Sequence, residues 1–321
     1  MKALSYPVNT LARSYRRGTI ALCMVALTLA ITLLLSASAL TSGIVSVTNK
    51  KAVISITARN VSWNASVRSQ GTFLPIPSDA FFVLVIGNDE RPGVGGARAD
   101  ALHLIGINTA EKKVTILNFP RDTTVSIPGH GRNKINAANA FGGSALTTQT
   151  VEQLTGVKIS YVLEANFAAF TGLIDDLGGI DVTVEKSMRD SASGSNFSPG
   201  VVHMSGGQAL SFTRDRHSFS SGDLQRSQNQ AIVLIAALAE MKKSRTTISS
   251  RFEGVAFMAK HLKLTNLTLR DVYFLMEQAS AIEPGNISSI LVPWAGSNTL
   301  APQATTLFND FKDDAVLQTY K

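Results

Sequence analysis

The sequence predicts an α/β chain, a mixed sheet sandwiched by helices and preceded by one N-terminal transmembrane helix. Three observations predict it. Short apolar runs of strand length alternate with segments of helical spacing. Two of those runs are joined by a link too short for a parallel crossover. An uncharged stretch long enough to span a bilayer follows a group of arginines.

That stretch comes first in the chain. Arg13, Arg16 and Arg17 precede an uncharged run from Ile20 to Leu40, which reaches the roughly 20 residues a membrane helix needs. Basic residues ahead of the run favour a cytoplasmic N-terminus and place the rest of the chain outside. Ala37-Ser-Ala39 resembles a signal-peptide cleavage site. Apolar character continues through Gly43-Ile-Val-Ser-Val47, however, which favours a retained anchor. The expected organisation is a cytoplasmic segment (1–18), a transmembrane helix (19–40), a stalk (41–79) and an extracellular domain (80–321) at the plasma membrane.

Within the exported part, Phe81-Phe-Val-Leu-Val-Ile86 is a continuous apolar run of buried-strand length, ending at Gly87. Ala101–Ile107 and Val114–Phe119 are two more, and the polar link between them predicts an antiparallel hairpin. Helices are expected over 133–140 and 146–154, the second closed by Gly156. A strand over 159–164, a helix over 167–177 ended by Gly178-Gly179, and an alternating strand over 180–184 come next. Residues 187–200, rich in Ser, Gly and Asn, predict a mobile loop. A short helix delivers Arg214, and a long one runs from about Asp223 to Lys242, very apolar over Ala231–Ala239. A helix near 269–281, a strand at 288–292 and a helix near 304–311 complete the chain. No repeat or internal linker divides residues 80–321.

Charge distribution removes one class of function. The net charge of +7 resides in residues 1–79, which hold eight basic side chains and one acidic one. Residues 80–321 carry 22 of each sign and are neutral, whereas a nucleic-acid binder carries its basic excess on the folded domain. No nucleic-acid partner is therefore expected. The only cysteine, Cys23, lies in the membrane run, so the exported part has no disulfide, catalytic cysteine or Cys-ligated metal.

Only 17% of residues are charged, yet four islands concentrate arginine and aspartate. They are Arg98-Ala-Asp100, Pro120-Arg121-Asp122, Arg214-Asp-Arg216-His217 and Asp223-Leu-Gln-Arg226. Arginine offers a permanently charged planar fork that matches phosphate oxygens. Aspartate can hold a hard divalent cation, and Asp89 and Asp100, each at a strand end, could share a Mg2+ ion if their strands are neighbours. Taken singly, each island reads equally well as a structural ion pair, and His103, between two leucines, reads as structural.

Their order is more specific. Val85-Ile-Gly-Asn-Asp89, Arg98-Ala-Asp100 and Val114-Thr-Ile-Leu-Asn-Phe-Pro-Arg-Asp122 lead to Asn133-Lys-Ile-Asn-Ala-Ala138. Leu177-Gly-Gly-Ile-Asp-Val182, His203-Met-Ser-Gly-Gly-Gln-Ala-Leu210, Arg214-Asp-Arg-His217 and Gly222-Asp-Leu-Gln-Arg226 complete the series. From Phe82 to Gln230 the chain thereby resembles the LytR-CpsA-Psr family of cell-wall polymer ligases. The resemblance implies a hydrophobic tunnel for a polyprenyl chain. It also implies transfer of a glycopolymer from polyprenyl pyrophosphate to a peptidoglycan hydroxyl, leaving a phosphodiester.

By that resemblance Asp89 and Asp100 match the Mg2+ carboxylates, with Mn2+ as a substitute. Arg98, Arg121, Arg214, Arg216, Arg226 and Gln230 match positions facing the pyrophosphate. Asp122 and Asp223 remain alternative proton acceptors beside Arg121. Phe167, Phe170, Leu173 and residues 231–239 are the candidate tunnel wall. Asn88 stands where the family often has an aliphatic residue, and Asn229 where it often has a second arginine, a change expected to reduce phosphate contacts or shift acceptor preference. A polyprenyl-pyrophosphate hydrolase and a non-catalytic lipid-glycan binding module are the competing functions.

Overall fold

The computed structural model describes residues 80–89, 97–244, 254, 257–265, 267–296 and 298–317, with four two-residue strands between 53 and 66. Residues 1–18, the expected transmembrane helix over 19–40 and most of the expected stalk lie outside the described residues. Among the described residues no helix is long and apolar enough to cross a membrane. The chain forms two compact units, Met1–Leu74 and Pro75–Lys321. In the first, β1 (Val53–Ile54) pairs antiparallel with β4 (Ala65–Ser66), and β2 (Thr57–Ala58) with β3 (Val61–Ser62).

The second unit is built on three long strands, β5 (Ala80–Asn88), β6 (Ala99–Asn108) and β7 (Lys113–Asn118). Each pairs antiparallel with the next, as the short link Thr109–Lys112 requires of β6 and β7. Parallel strands complete the sheet on both sides. β10 (Tyr161–Asn166) runs beside β5, and β16 (Ile287–Leu291) beside β7. β15 (Lys263–Thr265) adds an antiparallel edge, giving the order β15-β10-β5-β6-β7-β16. The expected mixed α/β sheet is present.

The continuous apolar runs are explained by burial on both faces. Phe82, Leu84 and Ile86 pack with Leu102 and Leu104 against α1 (Ala137–Thr155) and α6 (Gln303–Asp314). Phe81, Val83, Ile105 and Ile107 pack on the opposite face, with Phe274 and Leu275 of α5 (Leu269–Ala281) and with Leu234 and Ile235 of α4 (Asp223–Ser244). Gly106 is required beneath α6, since a Cβ there would lie 2.1 Å from the Ala315 carbonyl oxygen. A satellite core joins α2 (Phe167–Asp176), α3 (Gly206–Arg214), α4 and the hairpin of β11 (Ile180–Val184) with β14 (Gly200–Met204).

Two segments differ from expectation. Residues 133–155 are not two clean helices. Gly131–Lys134 forms β9, paired with β8 (Thr124–Ile127), and α1 is kinked at Gly142 and Gly143. Residues 187–200 are an ordered hairpin of β12 (Met188–Asp190) and β13 (Ser195–Phe197), with alternate residues buried. Both hairpins escape detection because their strands are three or four residues long and largely polar.

Candidate active site

The site begins with a defect in the sheet. Opposite Gly87 lies Ala101 and opposite Asn88 lies Ala99, so Asp100 is the extra residue of a bulge. Bulges re-aim side chains, and this one sets Asp100 among groups from three other segments. The chain after β7 turns at Pro120 and brings Arg121, whose Nη1 donates to Asp100 Oδ1 at 2.6 Å. The first turn of α4 brings Asp223, with Oδ1 2.8 Å from Arg226 Nη2 and 3.5 Å from Arg121 Nε. Arg216 Nε, from the segment between α3 and α4, lies 3.7 Å from the same oxygen. Arg226 and Gln230, one turn apart, also donate to the Asp100 carbonyl at 3.4 and 3.2 Å.

Arg121, Arg216 and Arg226 thus converge on two carboxylates, Asp100 and Asp223. Buried Arg121 Nε and Arg226 Nε lack hydrogen-bond partners among the described residues, as do both Asp223 oxygens. Burial, together with the charges of Arg121 and Arg216, outweighs the neighbouring carboxylates and lowers the Arg226 pKa to about 10. Three guanidinium groups, one of them buried and the others open to the cavity, outnumber the two carboxylates they face, a charge balance suited to an anion.

Beneath it lies a cavity of about 410 Å³ between the sheet and helices α2 and α4. Asp100, Arg121, Arg214, Arg216, Arg226 and Gln230 line its polar end. Val85, Leu163, Phe167, Phe170, Leu173, Val233, Leu234, Ala237 and Leu238 line the remainder. Of the expected tunnel wall, Phe167, Phe170, Leu173, Val233, Leu234, Ala237 and Leu238 face this cavity, whereas Ala231, Ile232, Ile235, Ala236 and Ala239 do not line it. Arg214 sits over the Phe167 ring, 5.3 Å from its centroid, and joins the polar end to the apolar wall.

The other expected site residues are placed differently. Asp122 pairs with Lys134 at 3.0 Å. Burial opposes its charge, but the Lys134 hydrogen bond and the charges of Lys134, Arg121 and Arg216 prevail and hold its carboxyl below the ordinary range. Asp89 follows the last residue of β5, half-buried, and Arg98 is exposed beside β6. Neither lines the cavity. Asn88 is buried and donates to Glu164 on β10 at 2.6 Å. Asn229 is buried too, donating to the Phe212 carbonyl at the end of α3 and accepting from Gln225. It ties two helices together and is not a group at the mouth.

Asp190 lines the cavity, and the motifs do not reveal it. Its side chain is nearly fully buried, 3.0 Å from His217 Nδ1, and accepts from the Ala192 and Arg216 backbone N–H groups. Although burial opposes it, this set of donors holds the Asp190 carboxyl far below the ordinary range. Asp190, Ser193 and His217 all line the cavity. The available signal was the Met188-Arg-Asp190 and Ser195-Asn-Phe197 alternation on either side of Gly194. His103, on the cavity face of β6, is tied through Nδ1 to Asn118 Oδ1 at 2.8 Å.

The sequence model of the LytR_cpsA_psr family matches residues 44–317. The chain belongs to the LytR-CpsA-Psr family. Among its relatives in this family is TagT of Bacillus subtilis, a polyisoprenyl-teichoic acid–peptidoglycan teichoic acid transferase. The two are 37% identical over 203 residues, covering 60% of this chain and 62% of TagT, a little under two thirds of that relative. TagU of Bacillus mycoides, a transferase named for the same activity, is 35% identical over 220 residues, 68% of this chain and 70% of TagU. A solved LytR-CpsA-Psr structure, YwtF (TagT) with bound octaprenyl pyrophosphate lipid, aligns with TM-score 0.56 and 28% identity. It covers 74% of this chain and 91% of that one.

Proposed function

We propose that this chain transfers a glycopolymer from a polyprenyl-pyrophosphate carrier to a peptidoglycan hydroxyl, leaving a phosphodiester link. The observation that carries the reading is the arrangement of Arg121, Arg216 and Arg226 at the polar end of an apolar cavity of about 410 Å³. That pairing of chemistries suits a pyrophosphate carrying a hydrocarbon chain. The named activities of TagT and TagU, and the lipid bound to YwtF, support it.

In the proposed step the acceptor oxygen bonds to the glycan-linked phosphorus. The bond to the bridging oxygen breaks, and polyprenyl phosphate leaves. Guanidinium groups aimed at the bridging and leaving oxygens neutralise the charge that builds there. The acceptor proton must go to a nearby carboxylate. Asp223 lies among three arginines and organises them. Asp122 lies outside that cluster, on the side of the β8–β9 hairpin, and is assigned as the proton acceptor.

Asp89 and Asp100 belong to adjoining strand ends, and the described residues contain no group of three or more His, Cys, Asp or Glu that would hold a metal unaided. Asp100 lines the cavity with one oxygen held by Arg121, and Asp89 lies at the adjoining strand end. As hard carboxylates they suit Mg2+ or Mn2+, which take few protein ligands and complete their shell with water and phosphates. When bound there, the ion would neutralise phosphate charge. The apolar run at 20–40 supports a single-pass anchor in the plasma membrane, with the N-terminus cytoplasmic and the site outside.

Incubating the detergent-purified full chain with a polyprenyl-pyrophosphate glycan and peptidoglycan fragments, with and without Mg2+, tests the reading. A covalent glycan–peptidoglycan product is expected. Glycan phosphate released to water alone would instead favour a hydrolase. Lipid binding without any bond cleavage would favour a binding module.

A further inference from the structure

Two large apolar side chains are exposed among the described residues, Phe141 and Val201. Phe141 is the one the backbone is shaped to present. Its ring stacks on His130 with centroids 4.5 Å apart and planes within 9°, while 47% of the residue stays in solvent. Immediately after it α1 breaks. Gly143 holds φ 62° and ψ −160°, which only glycine adopts readily, and a Cβ on Gly142 would lie 2.6 Å from Leu146 Cβ. The kink sets the direction of the aromatic pair.

Between this pair and the arginine cluster runs β9, exposed at all four positions from Gly131 to Lys134. Four extended residues span about 13 Å. Alternation puts Arg132 and Lys134 on one face, and Lys134 reaches Asp122, the neighbour of Arg121. The ground over the turn is open as well, since a Cβ on Gly129 or Gly131 would meet nothing within 4 Å. An aromatic platform, two cations and a carboxylate therefore lie along the exposed strand β9, leading away from the arginine cluster.

We propose that the His130–Phe141 pair and β9 form the acceptor subsite, which takes the amino-sugar strand of peptidoglycan. The inference rests on the transferase reading and names the surface that receives its second substrate. Pyranose rings present an apolar C–H face that stacks on aromatic rings, whose own faces carry partial negative charge. Arg132 complements the carboxylates of the stem peptides, while Lys134 is held by Asp122. A strand laid along β9 would lead a sugar hydroxyl toward Asp122, the chain neighbour of Arg121.

The test uses full-length protein in detergent and two readouts, transfer kinetics at varied acceptor concentration and co-sedimentation with purified peptidoglycan sacculi. Phe141→Ala is expected to raise the acceptor KM about tenfold and to weaken sedimentation in proportion, with the donor KM unmoved. Phe141→Trp should restore both, and Val201→Ala, at the other exposed apolar residue, should change neither. An acceptor KM and a sedimented fraction within twofold of wild type for Phe141→Ala and His130→Ala would overturn the proposal. If wild type makes no transfer product, the transferase reading fails, and sedimentation still decides this one. Phe141-dependent binding sustains it, whereas Phe141-independent or absent binding overturns it.

Discussion

Arg226 Nη2 lies 2.8 Å from Asp223 Oδ1, three residues earlier on the same helix, and Asp223 also faces Arg121 and Arg216. One buried carboxylate thus keeps three guanidinium groups together. Asp223→Ala would leave Arg226 buried without its counter-charge and is expected to cost about 3 kcal/mol. Arg226→Met should cost less, because Asp223 retains two other arginines. Urea denaturation of both variants gives the order. In transfer assays Arg226→Lys should lose about a hundredfold in kcat, since an ammonium cannot reproduce the fork.

Asp190 stands apart from the central arginine–aspartate set and instead holds the backbone N–H of Arg216 and the ring of His217. Asp190→Asn keeps the shape but weakens both attachments. It should raise the donor KM about tenfold with little change in kcat at saturation, the signature of a positioning residue. An equal loss of kcat and kcat/KM would place Asp190 in the chemical step instead.

His103 predicts a pH dependence of stability. Burial lowers its pKa to about 4, against which the Asn118 hydrogen bond acts only partly. The unfolded chain therefore binds a proton near pH 6.5 that the folded chain refuses. Stability is complete above that pH and is lost as pH falls from about 6.5 toward about 4, by about 3 kcal/mol. His103→Gln should remove this component, which denaturation midpoints at pH 7 and pH 4.5 would register.

Ala237 lies on α4 against the apolar part of the cavity. Ala237→Phe would place a ring in that space. Binding of a polyprenyl pyrophosphate should fall about tenfold or more, while binding of inorganic pyrophosphate stays as in wild type. Equal loss of both ligands would mean the substitution disturbed the arginines or the fold.

Much of this was legible in the sequence where burial is two-sided or periodic. Phe81–Ile86, Ala101–Ile107 and Val114–Phe119 are strands because both of their faces are covered, and that leaves an unmistakable apolar run. The helix from Asp223 and the elements after residue 269 were visible from their spacing and lie near the expected bounds. The β8–β9 and β12–β13 hairpins were hidden, because strands of three or four residues carry at most two apolar positions each, too few for their alternation to stand out. Within the candidate site, residue types and order were readable. The partnerships were not, because the contact of Asp223 with Arg121 depends on a helix folding back over a sheet. Asn229 shows the opposite error, since its position in a motif suggested the mouth and its side chain caps α3.

The clamp on the Arg216 backbone has a consequence for how such a chain can diverge. The serine- and glycine-rich hairpin carrying Asp190 fixes where the loop with Arg216 and His217 comes to rest. A one-residue insertion or deletion near Gly194 would re-aim that loop while every charged residue of the mouth stayed in place. Preference among anionic head groups could then drift through changes in an inconspicuous stretch of small polar residues, with the arginines themselves left unaltered.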